Sequence, residues 1–159
     1  MLLGVVSDTH GQTDYTLDAV RMLESLEVDT VLHCGDVGSA EVGRLFKRWP
    51  THFVLGNVDD AATIRRAVAD AGQTFHDRYG ELELAGVRIA LLHSDDSRKF
   101  DEVVQSGTFD LVCYGHTHVA KQQQRGKTLV LNPGALYRAT PHTLAIVQLP
   151  ELAVESIRV

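Results

Sequence analysis

Six short apolar segments of this chain each run into a loop that carries Asp, His or Asn, mostly beside glycine. Burying such groups without partners is costly, so the fold must compensate them. Ligand sites of open α/β sheets lie beyond the carboxyl ends of the strands, so we expect the loops to meet in one crevice. The segments, with the residues that follow them, are 2–6 (Ser-Asp-Thr-His-Gly), 30–34 (Gly-Asp), 53–55 (Gly-Asn), 89–92 (His), 111–114 (Gly-His-Thr-His) and 129–131 (Asn-Pro-Gly).

The first half of the chain alternates between predicted strands and predicted helices. Short apolar runs indicate the strands, and apolar residues at helical spacing indicate the helices. Pro50 stops the second helix and Gly72 follows the third. Strands are predicted over residues 2–7, 30–34 and 52–55, and helices over 17–26, 40–49 and 61–69. Three successive strand–helix units predict a parallel sheet with helices on its faces.

The second half is predicted to contain two hairpins, one helix and further strands. Ala85-Gly86 separates two strand-like segments and Arg125-Gly126-Lys127 separates two more, which is typical of hairpins. Strands are predicted over 81–84, 87–92, 111–114, 120–124, 128–131, 143–149 and 153–159, and a helix over 97–105. We therefore predict an α/β fold of two packed mixed β-sheets flanked by helices. No linker interrupts the pattern, so residues 1–159 are expected to form a single domain.

Charge and hydropathy limit the classes of partner. The net charge of −6 argues against a broad electrostatic grip on nucleic acid or on an anionic membrane. No apolar run has the length of a membrane span or of a signal-peptide core. Cys34 and Cys113 are isolated thiols within apolar runs, which indicates reduced core residues. These features predict a cytoplasmic protein. They do not exclude a small phosphorylated substrate, because a bound metal can reverse the charge locally.

The polar loops contain seven side chains that can bind a metal through nitrogen or oxygen, and none of the seven is a cysteine. Such donors suit Mn, Fe, Zn, Ni or Co, and their number exceeds what one ion needs, so we expect two divalent ions. Asp36 is the natural bridging ligand because its strand is predicted to be central. Two ions with the carboxylates of Asp8 and Asp36 leave a local charge of about +2, which would attract a phosphate group. The seven residues are Asp8, His10, Asp36, Asn57, His93, His116 and His118.

Taken in order, these motifs resemble the calcineurin-like metallophosphoesterases, and the short chain looks most like the small single-domain YfcE-type phosphodiesterases. The resemblance runs from about residue 2 to the Asn-Pro-Gly at 132–134. It implies hydrolysis of a phosphoester by a metal-bridging hydroxide, with manganese first among the expected metals, and it makes a homodimer a reasonable expectation. It also implies one ion held by Asp8, His10, Asp36 and His118, and a second held by Asp36, Asn57, His93 and His116.

The chain departs from the family pattern at two places near these ligands. Val58 stands where many members carry a His that assists the leaving group, and valine cannot donate a proton. We therefore expect slow turnover of alkyl monoesters and a preference for aryl diesters. Ser94 and Asp95 follow His93 where Gly, often with His, is usual, and Asp95 is a candidate substitute acid. Ala135 also replaces a Ser that is common after the Asn-Pro-Gly motif, which is a smaller change than the other two.

Other interpretations of the same residues stay open at this point. Asp8 and Asp36 could cap turns or helices, and Asn57 could be a turn residue. Asp59 could orient a ligand imidazole or cap the helix predicted at residue 61. The alternative function is a catalytically weak or inactive scaffold for protein partners, as in the small subunit of the retromer coat. A metal-dependent hydrolase of another bond is a third hypothesis.

Overall fold

The computed structural model describes residues 1–159, which form eleven strands and four helices. The helices are α1 (Thr13–Ser25), α2 (Ala40–Leu45), α3 (Ala61–Asp70) and α4 (Ser97–Gln105). The strands are β1 (Leu2–Val6), β2 (Thr30–His33), β3 (Thr51–Phe53), β4 (Thr74–Phe75), β5 (Tyr79–Leu84), β6 (Val87–Leu92), β7 (Leu111–Cys113), β8 (Lys121–Arg125), β9 (Thr128–Asn132), β10 (Thr143–Gln148) and β11 (Ala153–Arg158).

The first sheet has the strand order β11-β10-β1-β2-β3-β4. Strands β1 to β4 are parallel, as the strand–helix alternation predicts, and β10 and β11 add an antiparallel edge. Because parallel strands point the same way, the loops after β1, β2 and β3 emerge at one edge of the sheet. This edge carries Asp8, Asp36 and Asn57.

The second sheet has the order β5-β6-β7-β9-β8. Both predicted hairpins form, with β5 antiparallel to β6 and β8 antiparallel to β9, and β6, β7 and β9 are parallel. The loops after β6, β7 and β9 therefore also share an edge, and they carry His93, the Gly-His-Thr-His segment and Asn132. The predicted class, an α/β fold of two mixed sheets flanked by helices, is confirmed.

The two sheets pack face to face and helices cover their outer faces. Strand β6 shows the arrangement, since Ile89 and Leu91 face the first sheet while Ala90 and Leu92 face the cluster that includes Val103 of α4. Helices α1, α2 and α3 pack on the other face of the first sheet. Strands covered on both faces have continuous apolar runs, which explains why the predicted strands lack alternation.

Side-chain caps start three of the four helices. Ser39, Asp60 and Asp96 each accept a backbone N–H from the first turn of α2, α3 and α4. Burial of Cys113 between the sheets raises the pKa of its thiol, and neither cysteine forms a disulfide. None of the helices combines the length and the apolar character needed to cross a membrane.

Most element boundaries lie within one or two residues of the sequence prediction, and three elements differ by more. Helix α1 begins at Thr13, whereas the sequence predicted a start at residue 17. The prediction missed the first turn because that turn is polar and shows no apolar periodicity. Helix α2 ends at Leu45 rather than at residue 49, and residue 49 precedes a proline, which disfavours helical backbone there. Strand β4 has only two residues and was not predicted, since so short a segment has no pattern.

Candidate metal centre

Four of the sequence-predicted ligands converge at the shared edge of the sheets. One ligand atom from each lies within 4.8 Å of the ligand atoms of the other three. The Oδ1 atom of Asp8 is 3.1 Å from Nε2 of His118, and Nε2 of His10 is 3.5 Å from Oδ2 of Asp36. Ligands about 2.1 Å from a metal lie about 3.0–3.4 Å from their neighbours, so these separations fit a single divalent ion. The four residues are Asp8, His10, Asp36 and His118.

Asp36 lies between two histidines. Its Oδ2 atom is 3.5 Å from Nε2 of His10 on one side and 3.2 Å from Nε2 of His93 on the other. Its Oδ1 atom accepts the backbone N–H of Val58 at 3.1 Å. Burial alone would raise the pKa of Asp36. In the metal-free centre, the His93 imidazole when it is protonated and the Val58 N–H outweigh that effect and hold the pKa below its usual value. One carboxylate oxygen is thus available to both sides of the centre.

Two polar atoms buried in the centre have no hydrogen-bond partner: Oδ1 of Asp8 and Nε2 of His93. The other oxygen of Asp8, Oδ2, accepts the Ser7 hydroxyl at 2.6 Å and the backbone N–H of His116 at 3.1 Å. Leaving a buried polar atom unpaired costs about 1–3 kcal/mol. Both unpaired atoms are ligand types for a divalent cation, so the residues present fit the metal that the donor set predicts.

Backbone carbonyls orient two of the imidazoles. Nδ1 of His93 lies 2.8 Å from the carbonyl oxygen of Cys34, and Nδ1 of His118 lies 3.3 Å from that of Arg138. A carbonyl can only accept, so each Nδ1 carries the proton and each Nε2 keeps its lone pair. Both lone pairs are therefore available at the centre, as metal ligation requires.

The second implied group of ligands is more open to solvent. The His116 ring lies 5.1 Å from the His93 ring, centroid to centroid, in an edge-to-face arrangement. His116 and Asn57 are exposed. Asp36, His93 and His116 are thus brought together on one side of the centre, with Asn57 in the adjoining loop after β3.

Five of the seven predicted ligands adopt positive φ angles, a region that residues with a Cβ atom rarely occupy. Each such residue costs about 1–2 kcal/mol of backbone strain, and Asp and His tolerate it better than most. Strain of this kind persists where the surrounding structure holds the chain for a function. The residues and their φ angles are Asp8 (55°), His10 (46°), Asp36 (53°), His116 (74°) and His118 (59°).

Two glycines let the ligand loops approach each other. A Cβ atom at Gly56 would overlap the carboxylate of Asp36, and one at Gly115 would overlap the hydroxyl of Ser7. The glycines of the Gly-Asn and Gly-His-Thr-His segments therefore have a steric role beside the ligands. The sequence alone marks these glycines as loop residues and does not reveal the steric role.

Asn132, which is not one of the seven predicted ligands, holds the loop that carries two of them. The side-chain amide of Asn132 donates to the carbonyl oxygen of Gly115 at 3.0 Å and to the Thr117 hydroxyl at 3.1 Å. Its own oxygen accepts the N–H of Gly134. The Asn-Pro-Gly motif is the only sequence signal for this role, because the contacts depend on β7 and β9 being neighbours in the sheet.

A buried histidine also links two of the loops. Nδ1 of His33 accepts the N–H of Gly35, and its Nε2–H donates to the Thr9 hydroxyl at 3.0 Å. Thr9 in turn donates to the carbonyl oxygen of Val37 at 3.0 Å. Complete burial lowers the pKa of His33 to about 3, so this imidazole is neutral in the folded protein at neutral pH.

Asp59 binds backbone amides. Its Oδ2 atom accepts N–H groups from Val37 and Gly56, and its Oδ1 atom accepts the N–H of Gly38 at 2.7 Å. These bonds join the loop of Asp36 to the loop of Asn57. The Asp59 carboxylate therefore orders two ligand loops through backbone amides, whereas a bond to a ligand imidazole was one expectation. The cap of α3 belongs to Asp60.

The family departures lie at the rim of the centre. The Asp95 carboxylate pairs with the Arg78 guanidinium at 3.0 Å. Ser94 takes a positive φ of 77°, where glycine is most easily accommodated, and its hydroxyl donates to the carbonyl oxygen of Gly115. Val58 is 54% exposed and presents an apolar surface beside Asn57. Ala135 is fully buried.

Comparison with known proteins agrees with this geometry. The family model described as the calcineurin-like phosphoesterase superfamily domain matches residues 1–151. Phosphodiesterase MJ0936 of Methanocaldococcus jannaschii is 28% identical over 138 residues, which cover 84% of this chain and 83% of that protein. These matches imply divalent metal ions at the centre.

Two solved structures extend the comparison to the fold. A structure described as a novel archaeal phosphodiesterase superposes with a TM-score of 0.92 at 25% identity and covers all of both chains. The phosphoesterase YfcE of E. coli superposes with a TM-score of 0.70 over 99% of each chain, and at 18% identity this shows a shared fold. With the family model spanning nearly the whole sequence, the chain belongs to the calcineurin-like phosphoesterase superfamily.

Proposed function

We propose that residues 1–159 form one metallophosphoesterase domain that hydrolyses a small phosphodiester with two divalent metal ions. The observation that carries the proposal is the position of Asp36 Oδ2, 3.5 Å from the His10 imidazole and 3.2 Å from the His93 imidazole. An oxygen between two sets of nitrogen donors is suited to bridge two ions. The unpaired Asp8 Oδ1 and His93 Nε2 atoms support the same interpretation.

The charge at the centre favours a phosphoester over other substrates. When bound, divalent ions would polarise the phosphoryl oxygens and activate a water molecule for attack on phosphorus. Asp8 and Asp36 neutralise only half of the charge of two such ions, so an excess of about +2 would remain for the substrate. A chain with a net charge of −6 would then attract a phosphate at this one place.

The rim of the centre supports esters with good leaving groups. Val58 has no proton to give, and Asp95 is held by Arg78, so neither side chain is placed to protonate a departing alkoxide. General acid help is worth about 10²–10⁴-fold in rate. We therefore expect aryl diesters to be the best substrates, because their leaving groups depart without a proton.

Metal identity and setting complete the proposal. Manganese comes first because the family resemblance implies it, and Zn, Ni, Fe or Co are alternatives because nitrogen and oxygen donors discriminate poorly among these ions. We further propose that the protein works in the cytoplasm as a homodimer, on a small phosphoester and without nucleic acid or membrane partners. Light scattering on the purified protein tests the dimer.

The test compares metal binding with turnover. The purified chain is stripped with a chelator, reloaded with Mn, and assayed on an aryl phosphodiester with metal content measured in parallel. We expect about two ions per chain and turnover that Asp36→Asn reduces by at least 10²-fold. Asp101→Asn, which removes the same charge from an exposed position on α4, is the matched control. It should keep both the metal content and the turnover of the unaltered protein.

The same experiment separates the enzyme from the scaffold alternative. Metal bound at two ions per chain with no turnover of any phosphoester would favour a scaffold that keeps its ligands. Turnover that persists in Asp36→Asn, with the protein folded, would contradict the bridging role.

A further inference from the structure

A row of aromatic rings extends from the metal centre across the surface. The Tyr137 ring lies 5.9 Å from the His10 ring, and the Tyr15 ring stacks beside Tyr137 at 6.4 Å with 29° between their planes. His142 contacts Tyr15 edge-on at 4.4 Å. We call Tyr137, Tyr15 and His142 the aromatic row.

The aromatic row belongs to the surface, outside the core. Tyr15 is 42% exposed, and Tyr137 and His142 are half-buried. None of the three belongs to the apolar clusters that hold the sheets and helices together. Tyr15 comes from the first turn of α1, whereas the other two come from the loop between β9 and β10. Two distant segments therefore place exposed rings side by side next to a metal ligand.

A cation accompanies the row. The guanidinium of Arg138 lies 5.4 Å from the Tyr137 ring centroid, and the side chain is exposed. The backbone carbonyl of the same residue binds Nδ1 of the ligand His118. Arg138 is thus fixed beside the centre by its backbone, while its side chain is free to meet an anionic oxygen.

We propose that the aromatic row binds the organic substituent of the substrate, and that this substituent carries a flat aromatic or heteroaromatic ring. The inference rests on the proposed function, because the phosphate must be held at the metal centre for its substituent to reach Tyr137. A ring attached to that phosphate would stack on Tyr137 and Tyr15. Arg138 would contact a phosphoryl oxygen, which makes it a specificity residue for the ester.

The flat ring could come from an aryl ester or from a nucleoside, and both offer the same stacking surface. Val58, in the loop after β3, is exposed and its own side chain offers an apolar surface without a ring. The side of the centre nearer His10 therefore distinguishes ring-bearing substituents from aliphatic ones.

Equilibrium binding of phosphonates to the Mn-loaded protein tests this without relying on turnover, since their carbon–phosphorus bond resists hydrolysis. Phenylphosphonate and methylphosphonate are titrated in a calorimeter, with the methylene analogue of adenosine 5′-monophosphate, in which CH₂ replaces the ester oxygen, as the non-hydrolysable nucleotide probe. We expect phenylphosphonate to bind about tenfold more tightly than methylphosphonate. Tyr15→Leu and Tyr137→Leu should each remove most of that ratio and leave methylphosphonate binding unchanged, and Tyr15→Phe should preserve it.

Phe75→Leu is the matched control, because Arg65 lies 5.3 Å over the Phe75 ring on strand β4 as Arg138 lies over Tyr137. It should leave the ratio unaltered. A Tyr15-dependent preference for the nucleotide over phenylphosphonate would identify a nucleobase as the ring, and the reverse order would identify an aryl group.

The outcomes separate the two proposals. If both phosphonates bind with equal affinity and the tyrosine variants change neither, the aromatic row has no role in binding and the proposed function stands. If neither phosphonate binds the metal-loaded protein, the proposed function and this inference are both overturned.

Discussion

The side-chain amide of Asn132 donates a hydrogen bond to the carbonyl oxygen of Gly115 at 3.0 Å. Gly115 opens the segment that carries His116 and His118, and its own N–H lies 3.3 Å from the carbonyl oxygen of His93. One amide at the end of β9 therefore fixes a loop that supplies two imidazoles to the centre. Partners of this kind commonly affect metal affinity almost as strongly as the ligands do.

Replacing Asn132 with Ala should weaken metal binding. The substitution removes two donated hydrogen bonds to the ligand loop, so we expect Mn affinity to fall about 10- to 100-fold. Calorimetric titration of the chelator-treated protein measures the change. Gln124→Ala is the control, because its exposed amide also donates to a backbone carbonyl, that of Gly126, away from the centre. Equal losses in both variants would contradict the positioning role.

Replacing Asp59 with Asn should loosen two ligand loops at once. The amide cannot accept at both of its ends, so at least one of the three backbone N–H groups loses its partner. We expect a loss of about 1–3 kcal/mol in the free energy of unfolding, measured by urea denaturation, together with weaker Mn binding. Asp60→Asn should change little, since Asn also caps helices well. A fall in turnover with metal affinity intact would instead favour a direct catalytic role for Asp59.

Replacing Val58 with His should extend the range of substrates. The side chain is 54% exposed, so the larger ring fits without disturbing the core. With a proton donor at this position, we expect kcat/KM for alkyl phosphomonoesters to rise by about 10²-fold, and for aryl diesters to change much less. Val58→Leu changes the volume without adding a donor and should leave both values as they are. Rapid alkyl monoester hydrolysis by the unaltered protein would contradict the premise.

Stability should depend on pH through His33. Burial lowers the pKa of this residue to about 3, whereas an unfolded histidine has a pKa of about 6.5. Between those values the unfolded chain binds the extra proton, so stability is full above pH 6.5 and falls as the pH drops. In metal-free protein between pH 6 and 5, the free energy of unfolding should fall by about 1 kcal/mol per pH unit more than in His33→Gln. Equal slopes in the two proteins would show that His33 is not held neutral.

The sequence was sufficient to predict the convergence of the ligands because that convergence follows from topology. Asp8 and Asp36 each follow an apolar run, and parallel strands deliver their loops to one edge of a sheet. The hairpins of the second sheet were predictable for a different reason, because both contain a turn with glycine that is typical of hairpins.

Contacts between loops were not predictable in this way. The bonds of Asp59 go to backbone amides, which every residue possesses, so no side-chain pattern marks them. The pairing of Asp95 with Arg78 depends on the register of β5 against β6, in which Tyr79 lies opposite Leu92. Tyr15 and Tyr137 meet only because α1 lies beside the loop after β9, and neither belongs to a periodic pattern.

The proposed ligands come from both halves of the polypeptide, and this has a consequence for its synthesis. Asp8 and Asp36 leave the ribosome early, with the first sheet, whereas His93 and His118 follow with the second. A nascent chain that ends before residue 118 therefore lacks the His118 imidazole that would complete the proposed cation site with Asp8, His10 and Asp36. Tight metal capture must wait until most of the chain has been translated.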